Sequence, residues 1–366
     1  MSFLFETKSK LYNFAYQNLL KPIFFLCDAE FIHNLLIKVG SILGSNIFLK
    51  LIFKTFFSFS HPSIEKNLDG IHFPSPVGLS AGFDYNGDLT QILPFLGFGW
   101  HTIGTVTWLP YSGNPKPRLS RYPHSKALLV NKGLKTIGAP ALIKKLENKP
   151  LFTIPTGISI ASTNKSFNST KDQLVDILLS FVAFEKAKLN HQYYEMNISC
   201  PNTHGGEPFT SPDRLELLLS CLDKLNLTRP LYIKMPIDQD EKISLALLTV
   251  ANKHNVQGVI LGNLTKDKRN NLVRKKDRED WQTKKGNLSG KPTWERSNNF
   301  IKLAHQHFSQ RFTIIGTGGV FSGEDAQAKI NLGADLVQLI TGMIFQGPQL
   351  IGQINYYLSS SQVKSK

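Results

Sequence analysis

Cysteine is scarce in this chain. Three of its 366 residues are cysteine, Cys27, Cys200 and Cys221. Three cannot form a disulfide framework, and their spacing matches no zinc pattern, so a reducing compartment and no metal are expected. Acids are also few: 27 Asp and Glu face 42 Lys and Arg, a formal net charge of +15. That balance favours anionic partners, whether nucleic acid, an acidic membrane surface or small anions, without choosing among them. Long apolar runs are missing too. No stretch reaches the roughly 18 residues expected of a spanning helix, because Lys21-Pro22, Asp28, Glu30 and Lys38 interrupt the most apolar region. No clean apolar segment leads to a small-residue cleavage site, so a cleaved signal peptide fits poorly. Core-forming residues are not lacking: a 41% hydrophobic and 11% aromatic composition excludes disorder as the default.

Residues 1–60 differ from the rest. They hold 11 of the 25 Phe and six Lys, with Glu6, Asp28 and Glu30 as their acids. Apolar residues recur at helical spacing in "EFIHNLLIKVGSIL" and "NIFLKLIFKTFF". The pattern predicts short amphipathic helices, basic and rich in Phe, that either lie in a membrane interface or cap the core of the domain C-terminal to them. The run "KDKRNNLVRKKDRED", residues 266–280, interleaves acids with bases and reads as a solvated surface loop.

From residue 70 onward the rhythm changes. Eight β-rich runs, "PVGLSAGF", "WHTIGTVT", "TGISIAST", "YYEMNIS", "LYIKMPI", "VQGVILGN", "FTIIGTGG" and "ADLVQLIT", alternate with helical patterns such as "QLVDILLSFVAFEKAK". Strands alternating with helices predict parallel βαβ units, and eight of them fit a closed (β/α)8 TIM barrel over residues 61–366. A doubly wound open sheet usually carries its phosphate-binding glycines after the first strand, whereas here the Gly-Gly follows the seventh.

A barrel of this kind builds its site at the C-terminal ends of its strands, and small or polar residues gather there. They are Ser80-Ala81-Gly82, Gly104-Thr105, Asn197 with Cys200, Lys234, Asn263, Gly318-Gly319 and Thr341-Gly342. The last two pairs occupy the usual phosphate position, where bare backbone N–H groups hold a dianion. Lys234 lies in an otherwise apolar strand and needs an anion or an acceptor. It could be a Schiff-base lysine or the cation beside a reduced flavin; the small residues of strand one, against which a flat ring can lie, favour the flavin. Cys200, among asparagines in "NISCPNTHGG", is a small buried hydrophobe, a nucleophile or a proton-transfer group.

Taken together, "GLSAGFD", "IGTVTWLPYSGNPKPRLSRYP", "NISCPNT", "IIGTGGV" and "GADLVQLITGMIFQGP" resemble the dihydroorotate dehydrogenase family over nearly the whole chain. With "CDAEFIHNLL" as its helical extension, the chain is most similar to the membrane-associated, quinone-using class 2. The resemblance implies FMN as cofactor, dihydroorotate and orotate as substrate and product, a membrane quinone as acceptor, no nucleic acid, and a peripheral position on the cytoplasmic side of the cell membrane. Carried over by position, it implies flavin contacts at Ala81, Gly82, Thr105, Ser159, Asn197, Lys234, Gly262, Gly290, Gly318, Gly319, Thr341 and Gly342. Tyr85, Asn131, Gly133, Leu134, Asn197, Asn202 and Asn263 fall on substrate positions, and Cys200 on the catalytic base. The chemistry suits a thiol: oxidising dihydroorotate removes a proton from C5, and an unperturbed thiol, with pKa near 8.5, is close to working pH.

The chain departs from the family pattern at several of these positions. Cysteine stands at Cys200, where class 2 usually has serine. Tyr85 replaces a lysine that meets substrate and flavin, leaving Lys132 and Lys135 as candidates to hold the carboxylate. Ser159, Leu264 and Ile340 replace a usual asparagine, threonine and tyrosine. A quinone needs an apolar route, which Phe24, Phe25, Leu35, Leu36 and Phe48 are expected to line. Two other readings compete: a tRNA dihydrouridine synthase, another FMN barrel with a catalytic cysteine, and a non-catalytic flavoprotein.

Overall fold

A computed structural model describes residues 2–364. The eight β-rich runs form strands β1 (Val77–Leu79), β2 (Trp100–Val106), β3 (Thr156–Ile160), β4 (Tyr193–Asn197), β5 (Leu231–Met235), β6 (Gly258–Leu261), β7 (Thr313–Thr317) and β8 (Leu336–Leu339). All pair in parallel with their sequence neighbours, and β8 pairs with β1 to close the barrel. The predicted helices surround it, among them Thr170–Lys186, Glu241–Asn252 and Gly323–Asn331. Ser169 and Ser322 cap two of these, each side chain accepting from the backbone N–H three residues on.

Inside the barrel, side chains alternate with the strand period. Trp100, Tyr193, Tyr232, Ile260, Ile315 and Leu336 fill the N-terminal half, plugged from below by Ile71 and Phe73 of the hairpin formed by Lys66–Leu68 and Ile71–Phe73. Glycine makes the aromatic layer fit: a Cβ on Gly157 would stand 1.9 Å from the Tyr193 ring, and one on Gly78 2.3 Å from Trp100. The bottom is therefore packed solid, and any site belongs to the other end.

Over that other end lies an antiparallel sheet that the strand pattern of the sequence did not announce. Its strands are Leu119–Tyr122, Ala127–Val130 and Asn287–Gly290, the last joining across more than 150 residues. The charged run expected as a solvated loop is partly the helix Lys275–Thr283. Its Asp277 is buried and accepts hydrogen bonds from the Ser125 N–H and hydroxyl, and its Trp281 is buried. The alternation of charges had masked one inward-facing side.

The extension forms α1 (Ser2–Ala15), a π-turn, α2 (Lys21–Leu26), α3 (Ala29–Ser45) and α4 (Ile47–Phe57). Asp28 caps α3 through the Phe31 N–H, and Asn46 ends α3 and caps α4 through the Leu49 N–H. The two helices meet at a bend of 111°. Among the described residues no single helix is long and apolar enough to cross a membrane. The extension is tied to the barrel: the Phe5 ring packs on Tyr356, and the Tyr16 hydroxyl donates to the Ile344 carbonyl. Among the described residues, 15 of the 22 exposed large apolar side chains nevertheless belong to this extension, Leu26 at 89% and Phe48 at 74% exposure foremost.

Candidate active site

One large cavity opens at the C-terminal mouth of the barrel, beneath the antiparallel sheet. It encloses about 1190 Å³ of space, its open mouth included, enough for a cofactor and a small substrate together. Of the residues assigned to the flavin, Ala81, Gly82, Thr105, Asn197, Lys234, Gly262, Gly290, Gly318, Gly319, Thr341 and Gly342 all reach its wall. Ser159 does not. It is fully buried behind Thr105, whose hydroxyl lies 2.9 Å from its own. Of the substrate set, Tyr85, Gly133, Leu134, Asn197, Asn202 and Asn263 line the cavity, and so does Cys200. Asn131 stands outside the wall, accepting a hydrogen bond from Asn114, which also donates to the Asn202 carbonyl.

The backbone explains much of the shape. A Cβ on Gly82 would meet nothing nearer than Ile340 Cδ1 at 3.8 Å, so the volume a side chain would take is open cavity against which a flat ring can lie. At Gly319, φ is +75° and a Cβ would come 2.9 Å from Trp294, so the close approach of this turn to the helix behind it demands glycine. Gly318-Gly319 and Thr341-Gly342 thus both line one space, two backbone turns of the kind whose N–H groups suit a phosphate dianion. With Lys234 reaching in from β5, the residues present fit FMN.

The asparagines are held by their neighbours. Asn202 donates to the Val130 carbonyl and accepts from Asn287 at 2.7 Å, and Asn263 donates to the Ser199 carbonyl and hydroxyl. Asn287 and Asn114, supporting partners from distant segments, had no signal in the sequence. Cys200 sits half-buried beside them. Exclusion of water from the thiol is the main influence on it, outweighing a backbone hydrogen bond from Asn202, and pushes it up to about 11. This corrects the expectation of a thiol near its ordinary value: the site that orients Cys200 also disfavours its thiolate.

The lysines differ from expectation too. Glu30 of α3, 4% exposed, accepts from Arg118 at 2.8 Å and from Lys132 at 2.9 Å, with Lys135 at 3.9 Å. Burial would raise this carboxyl, but the hydrogen bonds from Arg118 and Lys132 override it and hold the group at about 2. Lys132 is therefore already partnered, and Lys135 is the freer cation. Nothing in the "CDAEF" stretch had marked Glu30 as the extension's anchor. Tyr85 has its pKa raised by burial, with Glu30 adding to the effect, so it is a neutral hydrogen-bonding group. Its ring lies 5.5 Å from that of His33, whose Nε2–H donates to the Phe83 carbonyl and which burial pushes down to about 4.

His33 is the extension's contribution to the cavity wall. The residues expected to line an apolar route are elsewhere: Phe25 packs on Phe345 under Arg121, and Leu35, Leu36 and Phe48 face outward. The apolar side of the cavity is made by Phe83, Leu119, Val130, Ile340 and Ile344.

Comparison with known proteins agrees with this geometry. Residues 63–361 match the sequence profile of the family described as dihydroorotate dehydrogenase. A relative from Thermosynechococcus vestitus, named dihydroorotate dehydrogenase (quinone), is 31% identical over 93% of this chain and 94% of its own. One of the same name from Trichormus variabilis is 36% identical over 80% of this chain and 77% of its own. Among solved structures, the DHODH of Eimeria tenella in complex with ferulenol superposes with a TM-score of 0.80 at 23% identity, over 92% of each chain, a likeness of fold. A match that spans barrel, cavity and most of the extension leaves one assignment: the chain belongs to the dihydroorotate dehydrogenase family.

Proposed function

We propose that this protein oxidises dihydroorotate to orotate with FMN as cofactor and a membrane quinone as acceptor, and that Cys200 takes the C5 proton. The observation that carries the reading is the convergence, on one cavity, of a thiol, three braced asparagines, Lys234 and two bare-backbone turns. When bound, FMN supplies the acceptor for the C6 hydride and passes the electrons on. Gly318-Gly319 and Thr341-Gly342 would hold its phosphate, Ala81 and Gly82 leave room for its ring, and Lys234 offers a positive charge where reduction adds a negative one. Asn197, Asn202 and Asn263 would grip the amide and carbonyl edges of the pyrimidine and set C5 against sulfur. Lys135, assisted by the Tyr85 hydroxyl, is the group we assign to the substrate carboxylate, since Lys132 is held by Glu30.

The exposed apolar residues of α1–α4 support a peripheral membrane position. A quinone coming from the bilayer would reach the cavity along Phe83, Leu119, Val130, Ile340 and Ile344. The family match favours this reading over a tRNA dihydrouridine synthase. The test is purification without added cofactor, a flavin spectrum, and anaerobic bleaching with dihydroorotate. A folded, colourless protein that takes up no offered FMN overturns it; a yellow protein that dihydroorotate does not bleach leaves a flavoprotein with another substrate.

A further inference from the structure

Glu195 of β4 has no part in the chemistry proposed for Cys200, Lys234 and the asparagines. It is fully buried inside the barrel, two residues before Asn197 on the same strand face, and its strand register places it opposite Ser159. Its Oε1 accepts from the Ser159 hydroxyl at 2.7 Å and lies 3.8 Å from Lys234 Nζ, while its Oε2 makes no hydrogen bond within the protein. A buried carboxylate left half satisfied is costly, and packing alone gives no reason for an acid here.

Its consequence is a hydrogen-bond chain with one direction. The Ser159 hydroxyl donates to Glu195 Oε1, so its proton points inward. Ser159 Oγ must then accept from Thr105 at 2.9 Å, and Thr105 Oγ1 accepts from Asn197 Nδ2 at 2.8 Å. Thr105 and Asn197 both stand on the cavity wall. With its proton committed inward, Thr105 presents lone pairs to the cavity. On the other side, Lys234 donates to Ser80 at 3.0 Å and faces the same carboxylate.

We propose that Glu195 is a positioning residue that sets the flavin's reduction equilibrium, by offsetting the charge of Lys234 and by fixing the orientation of the Ser159–Thr105–Asn197 chain. This rests on the reading of the cavity as an FMN site. Without Glu195, the Lys234 cation acts undiminished on the negative charge that reduction brings, and reduced flavin is favoured. A unit charge acting through a buried lysine at an effective dielectric near 20 is worth on the order of tenfold in such an equilibrium, about 30 mV for a two-electron couple.

The variant Glu195→Gln keeps the size and an acceptor oxygen. FMN content is read from the visible spectrum, and the midpoint potential from equilibration with reference dyes, without substrate or quinone. A colourless wild-type protein would remove the FMN reading and this proposal with it. Where FMN is bound, the expected result is a shift of the variant towards the reduced form of threefold or more. A smaller shift, or one in the opposite direction, overturns the proposal. If Glu195→Gln does not hold FMN, Ser159→Ala decides instead. That variant strips the carboxylate of its hydroxyl donor and leaves its charge unrelieved, so a threefold or greater shift towards the oxidised form is expected. An unchanged or opposite equilibrium refutes the idea.

Discussion

The thiol of Cys200 invites a direct test because its environment fixes the sign of the effect. Burial pushes it well above the ordinary thiol range, up to about 11. Each pH unit below that point lowers the thiolate tenfold, to about one molecule in 10⁴ at pH 7 and one in 10² at pH 9. The proton-accepting form is the deprotonated one, so the rate of flavin reduction rises with pH. Between pH 7 and 9 it should increase about 100-fold, close to tenfold per unit. The assay is anaerobic stopped-flow bleaching of the flavin at saturating dihydroorotate, a single turnover that excludes the quinone step. The same raised value is linked to stability. That contribution is complete below pH 9 and is lost as pH rises through about 11, so the window stays below the region where the fold weakens. Cys200→Ala should keep the flavin, slow bleaching by about 10²- to 10⁴-fold and lose the slope. A profile flat within threefold from pH 7 to 9, or an alanine variant that keeps the wild-type slope, means that the proton leaves by another group.

Lys135→Met should weaken orotate binding by about 10- to 100-fold, the loss of one charge-assisted hydrogen bond, read by flavin spectral titration; Lys132→Met should instead lower stability, and the reverse pattern would exchange their roles. Glu30→Gln leaves Arg118 and Lys132 buried without their counter-charge and should cost about 3–5 kcal/mol at neutral pH, measured by denaturant unfolding. Because the Glu30 carboxyl is depressed from 4.5 to about 2, its contribution is present above pH 4.5 and lost as pH falls through 2, so the variant's stability should depend less on pH across that acid range. Charging the surface of the extension with Leu26→Glu and Phe48→Glu, both highly exposed, should release the protein from anionic liposomes while dihydroorotate still bleaches the flavin; retained liposome binding would place the membrane contact elsewhere.

Barrel, rim and helical extension were legible in the linear chain because each depends on short-range periodicity. The alternation of "YYEMNIS" or "FTIIGTGG" with amphipathic helices sets the strand count, and closure of eight parallel strands then brings the ends of all of them to one mouth. Glycines at turns and polar residues at strand ends consequently converge without any long-range information. "EFIHNLLIKVGSIL" likewise predicts its helix almost to the residue.

What the tertiary structure decided depends on partners that no local pattern announces. Ala127–Val130 acquires a neighbour in Asn287–Gly290, and Glu30 meets Arg118 88 residues away. Glu195 looks like one polar residue in a strand until Ser159 and Lys234 close around it. The electrostatic state of a side chain is of this kind as well. Residue type gives a thiol its ordinary pKa, but the water excluded by folding moves Cys200 up, and a carboxylate from the extension occupies Lys132. Periodicity is written residue by residue along the chain, whereas desolvation and charge pairing exist only once distant segments share the same few ångströms.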